Sequence, residues 1–135
     1  MKMESYLFFD GKCKEAFEFY ASVLGGKIVA MLPHAETPAE AAVPPEWRDK
    51  IMYARLEVEG QALLASDVPP QQSGRMQGFH LSLSVKTAEE AERIFAALSE
   101  GGKISMPLGE TFWSPRFGML TDRFGTPWMI NCEAQ

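Results

Sequence analysis

The sequence predicts an α+β fold: two βαβββ modules whose curled mixed sheets form a cup-shaped cavity. Three observations carry this expectation. A helix-to-strand unit occurs twice: Glu15, Ala16, Phe19, Tyr20 and Val23 return as Glu90, Ala91, Ile94, Phe95 and Leu98. After one inserted residue, Gly26-Lys27-Ile28 returns as Gly102-Lys103-Ile104. Strand-like segments surround both copies in the same order, and only these two stretches keep helical periodicity. Duplication of one supersecondary unit follows. With one helix per module, both helices pack on one side of the sheets, and the uncovered side curls into the cup.

The elements follow in chain order. Residues 3–9 are aromatic-rich and read as a buried strand. Asp10-Gly11 ends it, with Asp10 the expected cap of the next helix. There Cys13, Ala16, Phe17, Tyr20, Val23 and Leu24 keep i, i+3, i+4, i+7 spacing, which makes one stripe apolar. Gly25-Gly26 supplies a residue able to take the left-handed conformation that ends helices, and Lys27–Leu32 reads as a second strand. Residues 33–50 hold Pro33, Pro38, Pro44 and Pro45 without clear periodicity. So long a loop predicts a mobile flap anchored by Trp47, with His34 in solvent. Ile51–Val58 and Gln61–Asp67 form a hairpin through Glu59-Gly60. Pro69-Pro70-Gln71-Gln72-Ser73-Gly74 is linker-like. One domain, 1–135, therefore divides into module 1 (1–68), a linker (69–77) and module 2 (78–135).

The second module opens on Phe79-His80-Leu81-Ser82-Leu83-Ser84-Val85. Strict alternation sets Phe79, Leu81, Leu83 and Val85 on one face and His80, Ser82 and Ser84 on the other. Thr87 with Glu90 forms a capping box. The helix buries Ala91, Ile94, Phe95 and Leu98, and Gly101-Gly102 ends it. Lys103–Met106 is a short strand, and Thr111–Arg116 is aromatic and irregular. Phe117–Thr121 and Trp128–Cys132 close the chain as a hairpin through Asp122-Arg123-Phe124-Gly125. Alternation puts Trp128 and Ile130 under the helix, with Met129 and Asn131 towards the cup.

Composition narrows the function. A chain of 135 residues, 46% hydrophobic and 23% charged, is that of an ordinary folded domain. A net charge of -5 without a basic cluster argues against nucleic acid and anionic membranes as partners. No apolar run approaches the roughly 20 residues that span a bilayer. The N-terminus lacks a signal peptide's apolar stretch. Cys13 and Cys132 make no disulfide framework and read as core thiols. The expected setting is the cytoplasm.

Phe19-Tyr20-x-x-x-Leu24-Gly25 in a paired βαβββ chain resembles the vicinal oxygen chelate superfamily of glyoxalases, bleomycin-resistance proteins and dioxygenases. More narrowly, three segments are similar to the PhnB-like family, also called the 3-demethylubiquinone-9 3-methyltransferase-like domain. They are Tyr6-Leu7-Phe8-Phe9-Asp10-Gly11, Glu110-Thr111-Phe112-Trp113 and Thr121-Asp122-Arg123-Phe124-Gly125-Thr126-Pro127-Trp128-Met129-Ile130-Asn131. The resemblance implies the glyoxalase/bleomycin resistance/dioxygenase fold. It also implies metal-ligand positions that fall near Ser5, on Ser66 or Asp67, on His80 and on Met129. Only His80 is an ordinary ligand whichever residue fills the second position, Ser66 or the carboxylate Asp67, and a thioether suits hard-metal chemistry poorly. The expectation is therefore no cofactor, with a divalent metal on His80 and Asp67 as the alternative. Methyl transfer has no support, because Gly25-Gly26 and Gly101-Gly102 end helices rather than open a nucleotide-binding turn.

The expected function is binding of a small molecule in the cup by a homodimer. The alternatives are a metal-dependent lyase, isomerase or dioxygenase of the glyoxalase type, or a drug-sequestering resistance protein. The ligand-binding set is Ser5, Tyr53, Ser66, Asp67, His80, Ser82, Trp113, Arg116, Met129 and Asn131. His80 is the best catalytic candidate, as a general acid or base, against hydrogen bonding to its serine neighbours. Arg116 beside Trp113 suits clamping a planar acid or phosphonate, against a core Trp113 and an Arg116 paired with a surface carboxylate. Asp67 either orients a substrate or begins a turn.

Overall fold

A computed structural model describes residues 1–35, 37–69, 72 and 74–134. The chain divides into two compact units, Met1–Gly74 and Arg75–Gln135. The first contains β1 (Ser5–Phe9), α1 (Cys13–Leu24), β2 (Lys27–Pro33), β3 (Ile51–Val58) and β4 (Gln61–Asp67). Its sheet has the order β1-β4-β3-β2, with β1 parallel to β4 and the other neighbours antiparallel. The second repeats the plan with β5 (Leu81–Val85), α2 (Ala88–Ser99), β6 (Lys103–Gly109), β7 (Phe117–Thr121) and β8 (Pro127–Cys132), in the order β5-β8-β7-β6. Each unit is a βαβββ module with a four-stranded mixed sheet, and the fold is α+β.

In the first unit Cys13, Ala16, Phe17 and Tyr20 of α1 are fully buried, as are Ala54, Leu56 and Ala65 of the sheet. Phe9 meets Phe17 edge-on, ring centroids 6.3 Å apart. In the second, Ala91, Ile94, Phe95 and Leu98 of α2 lie over a sheet face that buries Leu120, Trp128 and Ile130. Each large side chain withdrawn from water in this way contributes about 1.5–3 kcal/mol. The duplicated glycine that follows each helix is a close-approach residue. A Cβ on Gly26 would lie 2.8 Å from the Glu57 carbonyl oxygen, and one on Gly102 would strike the Thr121 carbonyl and lie 2.9 Å from Asp122 Cα.

Several local expectations are corrected. The first strand starts at Ser5, not Met3, and β5 at Leu81, which leaves Phe79 and His80 outside it. Asp10 is exposed and does not cap α1. Lys12 holds the N-cap position without a side-chain cap, and the Cys13 amide is served from β4 instead. The segment expected to lack regular structure has short 3-10 turns at Pro38–Ala42 and Pro45–Trp47. Its base is tied down: His34 N donates to Lys50 O at 2.9 Å, and Ala35 N donates to Arg48 O at 2.8 Å. Lys50 Nζ reaches Gly11 O at 3.2 Å. His34 is buried rather than solvated, its Nδ1 lying 2.9 Å from Lys50 O. Pro70, Gln71 and Ser73 of the expected linker lie outside the described residues. Among the described residues no helix is long and apolar enough to cross a membrane.

Candidate functional site

Register decides which side chains share a face. In the first unit Leu7 pairs with Ala65 and Phe9 with Asp67, while Ala54 pairs with Ala65. All are buried on the helix side. Alternation then places Tyr6, Phe8, Leu64, Ser66, Tyr53 and Arg55 on the side turned away from α1. Tyr6 and Phe8 are exposed there, with ring centroids 5.3 Å apart. In the second unit Trp128, Ile130 and Cys132 are buried beneath α2, so Met129 and Asn131 face the other way, together with their β5 partners Ser82 and Ser84.

The ten expected ligand residues separate on this basis. Tyr53 and Ser66 lie on the helix-free face of the first sheet, and Ser82, Met129 and Asn131 on that of the second. His80 is exposed one residue before β5, where strand alternation no longer fixes its side. Ser5 falls on the helix-side row of Leu7 and Phe9. The outlook of β1 could not be read from its sequence, because Tyr6-Leu7-Phe8-Phe9 is apolar on both faces.

Asp67 is fully buried, and three main-chain amides surround its carboxylate. Oδ1 accepts from Gly11 N and Cys13 N, each at 2.9 Å, and Oδ2 accepts from Ile51 N at 2.9 Å. The carboxylate therefore caps α1 and ties β3 and the β1–α1 turn to the end of β4. Burial first, and then the Asp67 charge, push the Cys13 thiol well above its ordinary range.

Trp113 is half-exposed, edge-on to Phe117 with centroids 5.2 Å apart, and it does not fill the core. The Arg116 guanidinium is engaged on the surface: Nε donates to Glu92 Oε1 at 3.1 Å and Nη1 to Pro115 O at 2.7 Å. On the second sheet Asn131 Nδ2 lies 3.4 Å from Ser84 Oγ, while its Oδ1 is buried with no hydrogen-bond partner among the described residues.

One cluster escaped the sequence reading. Arg55, on the helix-free face of the first sheet, donates from Nε to Glu57 Oε2 at 2.9 Å and from Nη2 to Glu4 Oε2 at 3.1 Å. Hydrogen bonds to Glu57 and then Glu4 hold its guanidinium further towards the charged form, with Tyr53 adding to them. The alternation Tyr53, Arg55, Glu57 along β3 was the available signal.

The positions implied for a divalent ion do not fit one. Ser5 lies on the helix-side row, Asp67 is committed to backbone amides, and Met129 is a soft thioether. Zinc and the harder divalent ions favour imidazole, thiolate and carboxylate donors. Among the described residues no group of three or more His, Cys, Asp or Glu is placed to hold a metal.

Comparison with known proteins agrees with this architecture. The family model described as the Glyoxalase/Bleomycin resistance protein/Dioxygenase superfamily matches residues 2–130. Protein YjdN of Escherichia coli K12 is 35% identical, over 100% of this chain and 97% of its own length. The structure of protein PA1353 from Pseudomonas aeruginosa is 49% identical with a TM-score of 0.91, covering 100% of this chain and 99% of that one. The PhnB protein from Bacillus cereus is 28% identical with a TM-score of 0.84, covering 98% and 99% respectively.

Proposed function

The chain belongs to the Glyoxalase/Bleomycin resistance protein/Dioxygenase superfamily, among its PhnB-like members, and on that premise we propose that it binds a small organic molecule on the helix-free faces of its sheets without a divalent metal. The observation that carries this reading is the composition of the second sheet's helix-free face. Met129 offers apolar surface, Ser82 and Ser84 offer hydroxyls, and Asn131 Oδ1 is a buried acceptor with no donor among the described residues. Buried acceptors are rarely left unpaired, and a ligand N–H or O–H beside Asn131 would complete it. Apolar surface with a few placed polar groups is the usual make-up of a small-molecule site.

The engaged guanidiniums favour a neutral ligand over a planar acid or phosphonate. Arg55 faces two carboxylates and Arg116 one. Asp67 serves as a structural cap rather than a ligand contact, and Trp113 borders the site. A homodimer is part of the reading, supported by large exposed apolar side chains such as Phe8, Phe112 and Trp113. So is a cytoplasmic setting, supported by two free, buried cysteines.

Metal analysis of the purified protein, with and without added Zn²⁺, Ni²⁺, Mn²⁺ or Fe²⁺, is the first test. The expected result is no stoichiometric metal; a full equivalent that disappears in His80→Ala overturns the reading in favour of a metal-dependent enzyme. A thermal-shift screen then compares neutral aromatic amides with matched carboxylates and phosphonates. Neutral compounds are expected to raise the melting temperature, and Asn131→Leu to abolish that response. Light scattering on the eluted protein reads the dimer.

A further inference from the structure

The second sheet carries a methionine row, of which the proposed ligand face accounts for Met129 alone. Met106 of β6 pairs with Met119 of β7, and Met119 pairs with Met129 of β8. Ser82 of β5 pairs with Met129 and completes the row across all four strands. Met119 alternates with the buried Gly118 and Leu120, and Met129 with the buried Trp128 and Ile130, so both thioethers stand on the face away from α2. A register shift after Ile104 brings Met106 opposite Met119 on the same face. Met106 is 38% exposed, which leaves the edge of the row open to solution.

We propose that Met106, Met119 and Met129 form a site for a soft monovalent cation of the Cu(I) class. Directly paired residues on adjacent strands hold their Cβ atoms ~5 Å apart. The unbranched methionine side chain turns about three bonds, so the two outer sulfurs can lean towards an ion held over Met119. Thioether donors select Cu(I) over hard divalent ions. The surrounding positions on this face agree: Ser82, Ser84, Asn131 and Phe117 bring no carboxylate that would recruit a hard ion. The competing soft donors are shielded, with Cys13 at 0% and Cys132 at 2% exposure. The row shares Met129 and its face with the organic ligand proposed above, but the cation site does not rest on that reading, since Met106 and Met119 belong to the row alone.

Ag(I) is the probe, since it needs no reductant. With methyl-labelled methionine, the three methyl signals assigned to Met106, Met119 and Met129, out of eight methionines, are expected to shift together and saturate at one equivalent. Met119→Leu keeps the side-chain volume, so its circular dichroism and melting temperature should match the parent, while the one-equivalent response disappears. Cu(I), delivered under reducing conditions against a colorimetric chelator, should show the same dependence on Met119. The inference is overturned if those three signals stay still, if silver is taken up only by the thiols or by Met1 and Met3, or if Met119→Leu still saturates at one equivalent.

Discussion

Asp67 caps the helix that begins at Cys13, its Oδ1 accepting the Cys13 amide at 2.9 Å across a separation of 54 residues. Helix amides at an N-terminus are ordinarily satisfied by a side chain one to three residues away. Here the end of β4 supplies the acceptor. The last strand of the module thus fixes where its α-helix starts. The second module solves the same problem locally, with Thr87 Oγ1 accepting from Glu90 N at 3.1 Å.

Replacing Asp67 should therefore cost far more than replacing Thr87. Asp67→Ala strands three amides, two of them buried, and is expected to lower unfolding free energy by about 3 kcal/mol or more, and Asp67→Asn by about 2 kcal/mol. Thr87→Ala should cost ~1 kcal/mol. Urea titrations read all three. A loss for Asp67→Ala no larger than that for Thr87→Ala would contradict the capping role.

The Cys13 thiol gives a sign-specific pH dependence. Its folded pKa is raised by burial and by Asp67, so above about pH 8.5 the unfolded chain loses a proton that the folded chain keeps. The folded state then binds more protons, and stability falls as pH rises, by up to ~1.4 kcal/mol per unit from this group. Subtracting the stability profile of Cys13→Ala from that of the parent between pH 7 and 10 isolates the slope. A flat difference would show that the thiol ionises in place.

The duplicated glycine separates steric need from conformational preference. Gly102→Ala pushes a methyl group into the Thr121 carbonyl and the Asp122 backbone, and is expected to cost more than ~3 kcal/mol. A Cβ on Gly109 meets nothing within 4 Å, so Gly109→Ala should stay within ~0.5 kcal/mol. Thermal melts of the pair measure the contrast directly.

The closing hairpin turns on one carboxylate. Asp122 Oδ1 accepts from Phe124 N at 2.9 Å and Thr126 N at 3.0 Å, while Oδ2 accepts from the buried Trp128 Nε1 at 2.9 Å. Asp122→Ala is expected to destabilise by about 3 kcal/mol and to change the near-ultraviolet dichroism of the buried indole. Trp128→Phe should cost less than Asp122→Ala, because it removes the indole donor while leaving the turn amides served. The motif that marks the family most sharply is thus a self-satisfied turn, which explains why recognising it says little about a reaction.

What could be read from the chain alone was whatever depended on near neighbours. The repeated helices, the Thr87–Glu90 cap, the hairpin at Glu59-Gly60 and the alternation of β8 are all written within a few residues. Their physics is local hydrogen bonding and side-chain periodicity, and from them came the βαβββ plan and the outward placement of Met129 and Asn131. Tertiary structure decided the rest. The acceptor for the Cys13 amide lies at the far end of another strand, the burial of His34 depends on pairing with Lys50, and Ser5 sits on a strand apolar on both faces, where alternation carries no sign. Partners distant in sequence leave no periodic trace, so the role of Asp67 became visible only when the fold brought its carboxylate to the helix it caps.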